Sequence, residues 1–90
     1  MIAVYIVTKN MTIEKHAEGR DRLRQSGALE EKMRLHSCFG EEDKLQVFDV
    51  WDSQEAFDEF LTHLMPIMGE LGIELAQPPM IMPIVDLIQQ

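Results

Sequence analysis

An α+β domain, with four strands and two helices in the order βαββαβ, is predicted for this 90-residue chain by three observations. Ile2–Thr8 (IAVYIVT) is rich in β-branched residues and apolar at both alternating positions, as a strand buried on two sides should be. Val47–Phe57 (VFDVWDSQEAF) runs from a buried strand through one helix cap into an amphipathic helix. A last apolar segment, Met80–Ile88 (MIMPIVDLI), follows the extended connector Gln77-Pro78-Pro79.

The elements follow in order. After the first strand, Asn10 or Thr12 offers an N-cap, and Thr12–Gln25 fits a helix ended by Gly27 as its C′ residue. Lys32–Phe39 and Lys44–Asp52 read as strands, joined by Gly40-Glu41-Glu42-Asp43 as a hairpin. Ser53 caps the second helix, with Glu55 in the first turn where the helix dipole favours an acid. Ala56, Phe57, Phe60, Leu61, Leu64 and Met68 form its apolar stripe. Pro66 predicts a break near Leu64–Met65 and a short second turn, with Gly72 beyond its end. Pro83 lacks the N–H that a central ladder needs, so the fourth strand, Met80–Ile88, is an edge or carries a bulge. The whole, residues 1–90, is one ferredoxin-like domain with a four-stranded antiparallel sheet and both helices on one face.

Composition narrows the partners. The hydrophobic fraction of 46% is that of a globular chain. The balance is acidic, 8 Lys+Arg against 16 Asp+Glu for a net charge of −8, and the basic residues gather only at Arg20, Arg22 and Arg24. Neither nucleic acid nor an anionic membrane is expected as a partner. A single cysteine, Cys38, excludes an intramolecular disulfide and a cysteine-rich metal site. Met1–Val7 is too short for a signal peptide or a membrane span, so a reducing, cytoplasmic setting is expected.

Helices on one face leave the other face of the sheet bare, yet the first and fourth strands are apolar on both faces. A second copy of the chain, its sheet packed against the first, is the economical cover: a homodimer closed through the open sheet face.

Val50-Trp51-Asp52-Ser53-Gln54-Glu55-Ala56-Phe57 resembles the strand-to-helix junction of the dimeric α/β-barrel superfamily, in particular its antibiotic-biosynthesis-monooxygenase-like members. The resemblance implies a homodimeric α/β barrel. That superfamily includes cofactor-independent monooxygenases, haem-degrading enzymes, polyketide cyclases and lactone isomerases. The haem-degrading branch uses an Asn on the first strand and a second Trp; Ile2–Thr8 has no amide, and Trp51 is the only tryptophan. What the resemblance implies here is an enzyme that needs no cofactor, neither metal nor flavin. It would act on a small aromatic or polyketide-like molecule, His16 working on a substrate proton, Arg20 holding the anion and Trp51 shaping the wall.

The residues themselves supply the candidates. With Ile13 at 0°, Leu23 falls at roughly 280° and Ala17 at roughly 40° of the helical wheel, marking an inward arc that also holds His16, Arg20 and Arg24. Either these side chains line a pocket, His16 and Arg20 acting on an enolate or carboxylate, or the arginines lay their stems over the sheet and put their heads in water. With a four-residue hairpin loop, His36 faces Val47, Arg34 faces Asp49 and Lys32 faces Trp51. Arg34, His36, Cys38, Asp49 and Trp51 then share a mixed face that could hold a cavity, while Met33, Leu35, Phe48 and Val50 share an apolar face expected to be core. A buried Asp49 needs a partner, Arg34 or His36. Arg24, Arg34, His36, Asp49 and Trp51 are therefore the substrate-binding candidates, against a plain reading of ion pair and core anchor. His16, His36 and His63 have no metal-ligand spacing. The rival to an enzyme is a non-enzymatic homodimer, a ligand-binding or accessory protein.

Overall fold

A computed structural model describes residues 1–89. The order is β1 (Ile2–Val7), α1 (Ile13–Gln25), β2 (Met33–Glu41), β3 (Lys44–Trp51), α2 (Gln54–Glu70) and β4 (Met80–Pro83). The strands form one antiparallel sheet in the order β2-β3-β1-β4, the ferredoxin-like arrangement expected.

Caps decide the helix starts. The Thr12 side chain accepts from the Lys15 N–H and the Ser53 side chain from the Ala56 N–H, each satisfying an orphan donor of the first turn. Asn10, the alternative cap, instead binds the turn after α2. Its Nδ2 donates to the Gly72 carbonyl (2.8 Å) and its Oδ1 accepts from the Glu74 N–H (2.8 Å). Gly27 takes φ 81° just past α1, as a C′ glycine should.

Three expectations are corrected. First, α2 does not break at Pro66 but runs on to Glu70 with Pro66 inside it. The ring deletes only the bond to the Thr62 carbonyl; Pro66 and Thr62 are both exposed, so water takes up the freed acceptor. Second, β4 stops at Pro83, not Ile88. It is an edge strand beside β1; after the Ile84 N–H bonds the Met1 carbonyl (3.0 Å), residues 85–89 leave the ladder, with Val85 and Ile88 exposed. Third, the β2–β3 loop is Glu42-Asp43 alone, Glu41 pairing with Lys44, so the register moves by two. His36 lies opposite Asp49 and Cys38 opposite Val47; a shift between Met33 and Leu35 ejects Arg34 from the regular ladder. Because the shift is even, His36, Cys38, Val47, Asp49 and Trp51 still share one face.

That mixed face, and not the apolar one, carries the core. Val4, Ile6, Val47 and Trp51 pack with Leu23 of α1 and with Phe57, Phe60, Ile67 and Met68 of α2. Trp51 is fully buried, tilted against Phe60 (ring centroids 4.8 Å) and Phe57 (5.9 Å). By strand alternation the other face presents Tyr5, Val7, Leu35, Phe39, Phe48, Val50, Met80 and Met82, which no helix covers. Phe39 is 43% exposed and Met82 48%.

Candidate functional site

The inward face of α1 is His16, Gly19, Arg20 and Leu23, spaced i, i+3, i+4 and i+7. Its arc is centred on Leu23 and excludes Ile13, Ala17 and Arg24, all exposed. Gly19, expected outside, lies inside it. With β1, β3 and α2 this face encloses a pocket of about 70 Å³, walled by Ile6, Met11, Phe60, Leu64 and Met68, with Asp49 and His36 on the sheet side.

At the polar end of the pocket three side chains form a line. Asp49, 3% exposed, takes a hydrogen bond from His36 Nδ1 (2.6 Å), and its second oxygen faces Trp51 Nε1–H at 3.4 Å. His36 Nε2 lies 3.3 Å from His16 Nε2, and the two rings are parallel to within 2°. Hydrogen-bond accounting assigns the tautomers. An ionised Asp49 can only accept, so His36 carries a proton on Nδ1, and with His36 neutral its Nε2 is bare. That nitrogen must accept from His16 Nε2–H, leaving His16 Nδ1 as a free basic lone pair without a hydrogen-bond partner among the described residues. Burial, then the nearby His36 and Arg20, hold His16 below its ordinary 6.5, with Asp49 pulling the other way. His16 is accordingly neutral at pH 7. Burial, reinforced by Asp49, pushes the Cys38 thiol up, which makes it a packing group and not a nucleophile.

Of the sequence candidates, the fold brings together His16, Arg20, His36 and Asp49 and separates the rest. Arg34 does not pair with Asp49; displaced by the β2 irregularity, it makes a two-pronged pair with Asp52, Nη2 to Oδ2 at 2.9 Å. Arg24 points to solvent near Asp21 (3.8 Å). Trp51 sits in the core and reaches the site only through Asp49. Arg20 is held by Glu30 of the α1–β2 loop (Nη1 to Oε1 3.0 Å, Nη2 to Oε2 3.3 Å), both side chains mostly buried. Glu30 was invisible in the sequence, since an aperiodic loop gives no facing; Gly19 was legible in principle, as the only wheel position without a side chain. Among the described residues no group of three His, Cys, Asp or Glu could hold a metal ion, and no helix is long and apolar enough to cross a membrane.

No family model matches the chain, and no curated protein matches it. Solved structures do. SnoaB from Streptomyces nogalater, a cofactor-independent oxygenase, superposes in a mutant form with a TM-score of 0.68 at 12% identity, covering 99% of this chain and 97% of that one. Proteins assigned to antibiotic biosynthesis monooxygenases from Chloroflexus aurantiacus (TM-score 0.64, 13% identity, 99% and 98% covered) and Deinococcus radiodurans (0.63, 16%, 100% and 98%) do likewise. The fold is that of the antibiotic-biosynthesis-monooxygenase-like proteins. At these identities the likeness is one of architecture, and the chemistry has to be argued from the side chains.

Proposed function

We propose that the chain is a cofactor-independent, monooxygenase-like or isomerase/cyclase-like enzyme that removes a proton from a small aromatic or polyketide-like molecule. The observation that carries this is His16: a neutral imidazole with a bare nitrogen, in a pocket walled mostly by apolar side chains and backed by His36 and Asp49. Deprotonation of an enolisable carbon or a phenol leaves an electron-rich anion, and Arg20 is the cation nearest to it. The later fate of that anion, reaction with oxygen or reprotonation elsewhere, is set by the substrate. About 70 Å³ is well short of the roughly 300–1,000 Å³ that encloses a drug-sized ligand, so only the reacting end enters unless Met11, Leu64 and Met68 rotate.

A second copy covers the open sheet face in this reading. A face carrying Tyr5, Val7, Leu35, Phe48, Met80 and Met82 is too apolar to remain in water, and self-pairing of sheets buries it. The setting is cytoplasmic. The second reading, a non-enzymatic homodimer, is favoured by one observation: Arg20 already has a carboxylate partner in Glu30.

A panel of enolisable aromatic and polyketide-like ketones, followed by deuterium uptake from solvent at the acidic carbon, tests the enzyme reading. Wild type should catalyse exchange, and His16→Ala should abolish it while keeping the folded circular-dichroism spectrum. Equal exchange by wild type and His16→Ala removes His16 from the chemistry.

A further inference from the structure

We propose that His16, His36 and Asp49 work as one proton relay, in which the proton taken up by His16 leaves the positive charge on His36, against the buried Asp49 carboxylate. This rests on the reading of His16 as the base.

The step balances within the side chains. His16 Nδ1 accepts the substrate proton, and the bonding pair stays on the substrate as an enolate or phenolate. His16 Nε2–H passes across the 3.3 Å gap to His36 Nε2. His16 is then neutral again, with its proton on Nδ1, and His36 is an imidazolium whose Nδ1–H still binds Asp49 at 2.6 Å. Asp49 stays a carboxylate throughout. Reversal returns the same proton through His16 Nδ1, so an isomerisation needs no other acid, and no oxidant enters the step.

The relay explains why the site is built as it is. A proton resting on His16 would be a cation in a half-buried place already next to Arg20. One bond further in, on His36, it meets an opposite charge that is 3% exposed. The charged and titratable groups around the line are Lys15 and Arg20 on α1, Glu30 bound to Arg20, and Cys38 beside Asp49; α2 contributes only apolar side chains to the pocket. None of these forms a hydrogen bond with either imidazole, so the line has one entrance, His16 Nδ1. His36 and Asp49 are positioning residues here, acting through His16.

The ring nitrogens report the relay directly. In ¹⁵N-labelled protein without ligand, lowering the pH should swap His16 from the Nε2–H to the Nδ1–H tautomer in the same step in which His36 becomes charged. Asp49→Asn keeps the shape and removes the charge, and should lower the proton affinity of the pair at least about tenfold. Should that variant misfold, His36→Gln at a partly exposed position breaks the line instead. His16 should then keep one tautomer and charge by itself. Two independent titrations in wild type, with His16 holding its tautomer, would overturn the relay. A relay present without catalysed deuterium exchange would instead fault the substrate reading, so the two failures are told apart.

Discussion

The two faces of the sheet invert the usual division of labour. Between the sheet and the helices lie a buried carboxylate and, half-buried, two imidazoles and an arginine, whereas the face without helices is largely apolar and exposes Phe39, Met80 and Met82. Charge inside and hydrocarbon outside are both unfavourable in an isolated domain. Neither face is explained by folding alone: the inner polar line is the proposed site, and the outer apolar surface is what the proposed second copy would cover.

The comparison breaks most visibly through its core. Phe57→Ala on the covered side should lower unfolding stability by about 3–5 kcal/mol in denaturant titrations, since a fully buried ring leaves a cavity. A similar loss from Phe39→Ala in the separated chain would erase the distinction between the faces. Next, Met82→Glu should weaken self-association roughly a hundredfold, because a buried unpaired charge costs about 3 kcal/mol or more. Ultracentrifugation of the variant should show that dissociation with the secondary structure unchanged.

What the residues announced and what they concealed divides along similar lines. Strong periodicity exposed the elements: the stripe from Ala56 to Met68, the caps Thr12 and Ser53, and the apolar strands were legible because burial repeats at 2 or 3.6 residues. The pairing of Asp49 with His36 was one of two options, and the hairpin length decided it. Four residues were expected in the loop and two are used, which moved Arg34 off Asp49. Arc placement on α1 failed because Ile13 and Ala17 are apolar yet exposed, and a short, mostly polar helix gives no sharper mark than Leu23. Pro66 misled because its missing bond lies on the wet side of α2.

Smaller effects sharpen the site. Gly19→Ala should stabilise by about 0.5–1 kcal/mol, removing a helical glycine while its new Cβ meets Leu71 Cδ1 at an ordinary 3.6 Å. A bulkier Gly19→Leu should block the pocket and suppress deuterium exchange without unfolding. Exchange should be lost on the acid side of its pH profile, because the His16–His36 pair must be uncharged to take up a proton. Least of all, Arg34→Ala should leave neutral-pH stability nearly unchanged. Arg34 lowers Asp52 from 3.8, so the small contribution of this exposed pair is present above that value and lost as pH falls through the lowered one; the variant's slight loss should be seen at neutral pH and vanish at the acid end.

Native mass spectrometry of the purified chain at micromolar concentration probes the asymmetry of the two faces most directly. The expected spectrum is dominated by the mass of two chains, and Met82→Glu shifts it to one. A wild-type spectrum of single chains, with the apolar face left in water, would contradict the account.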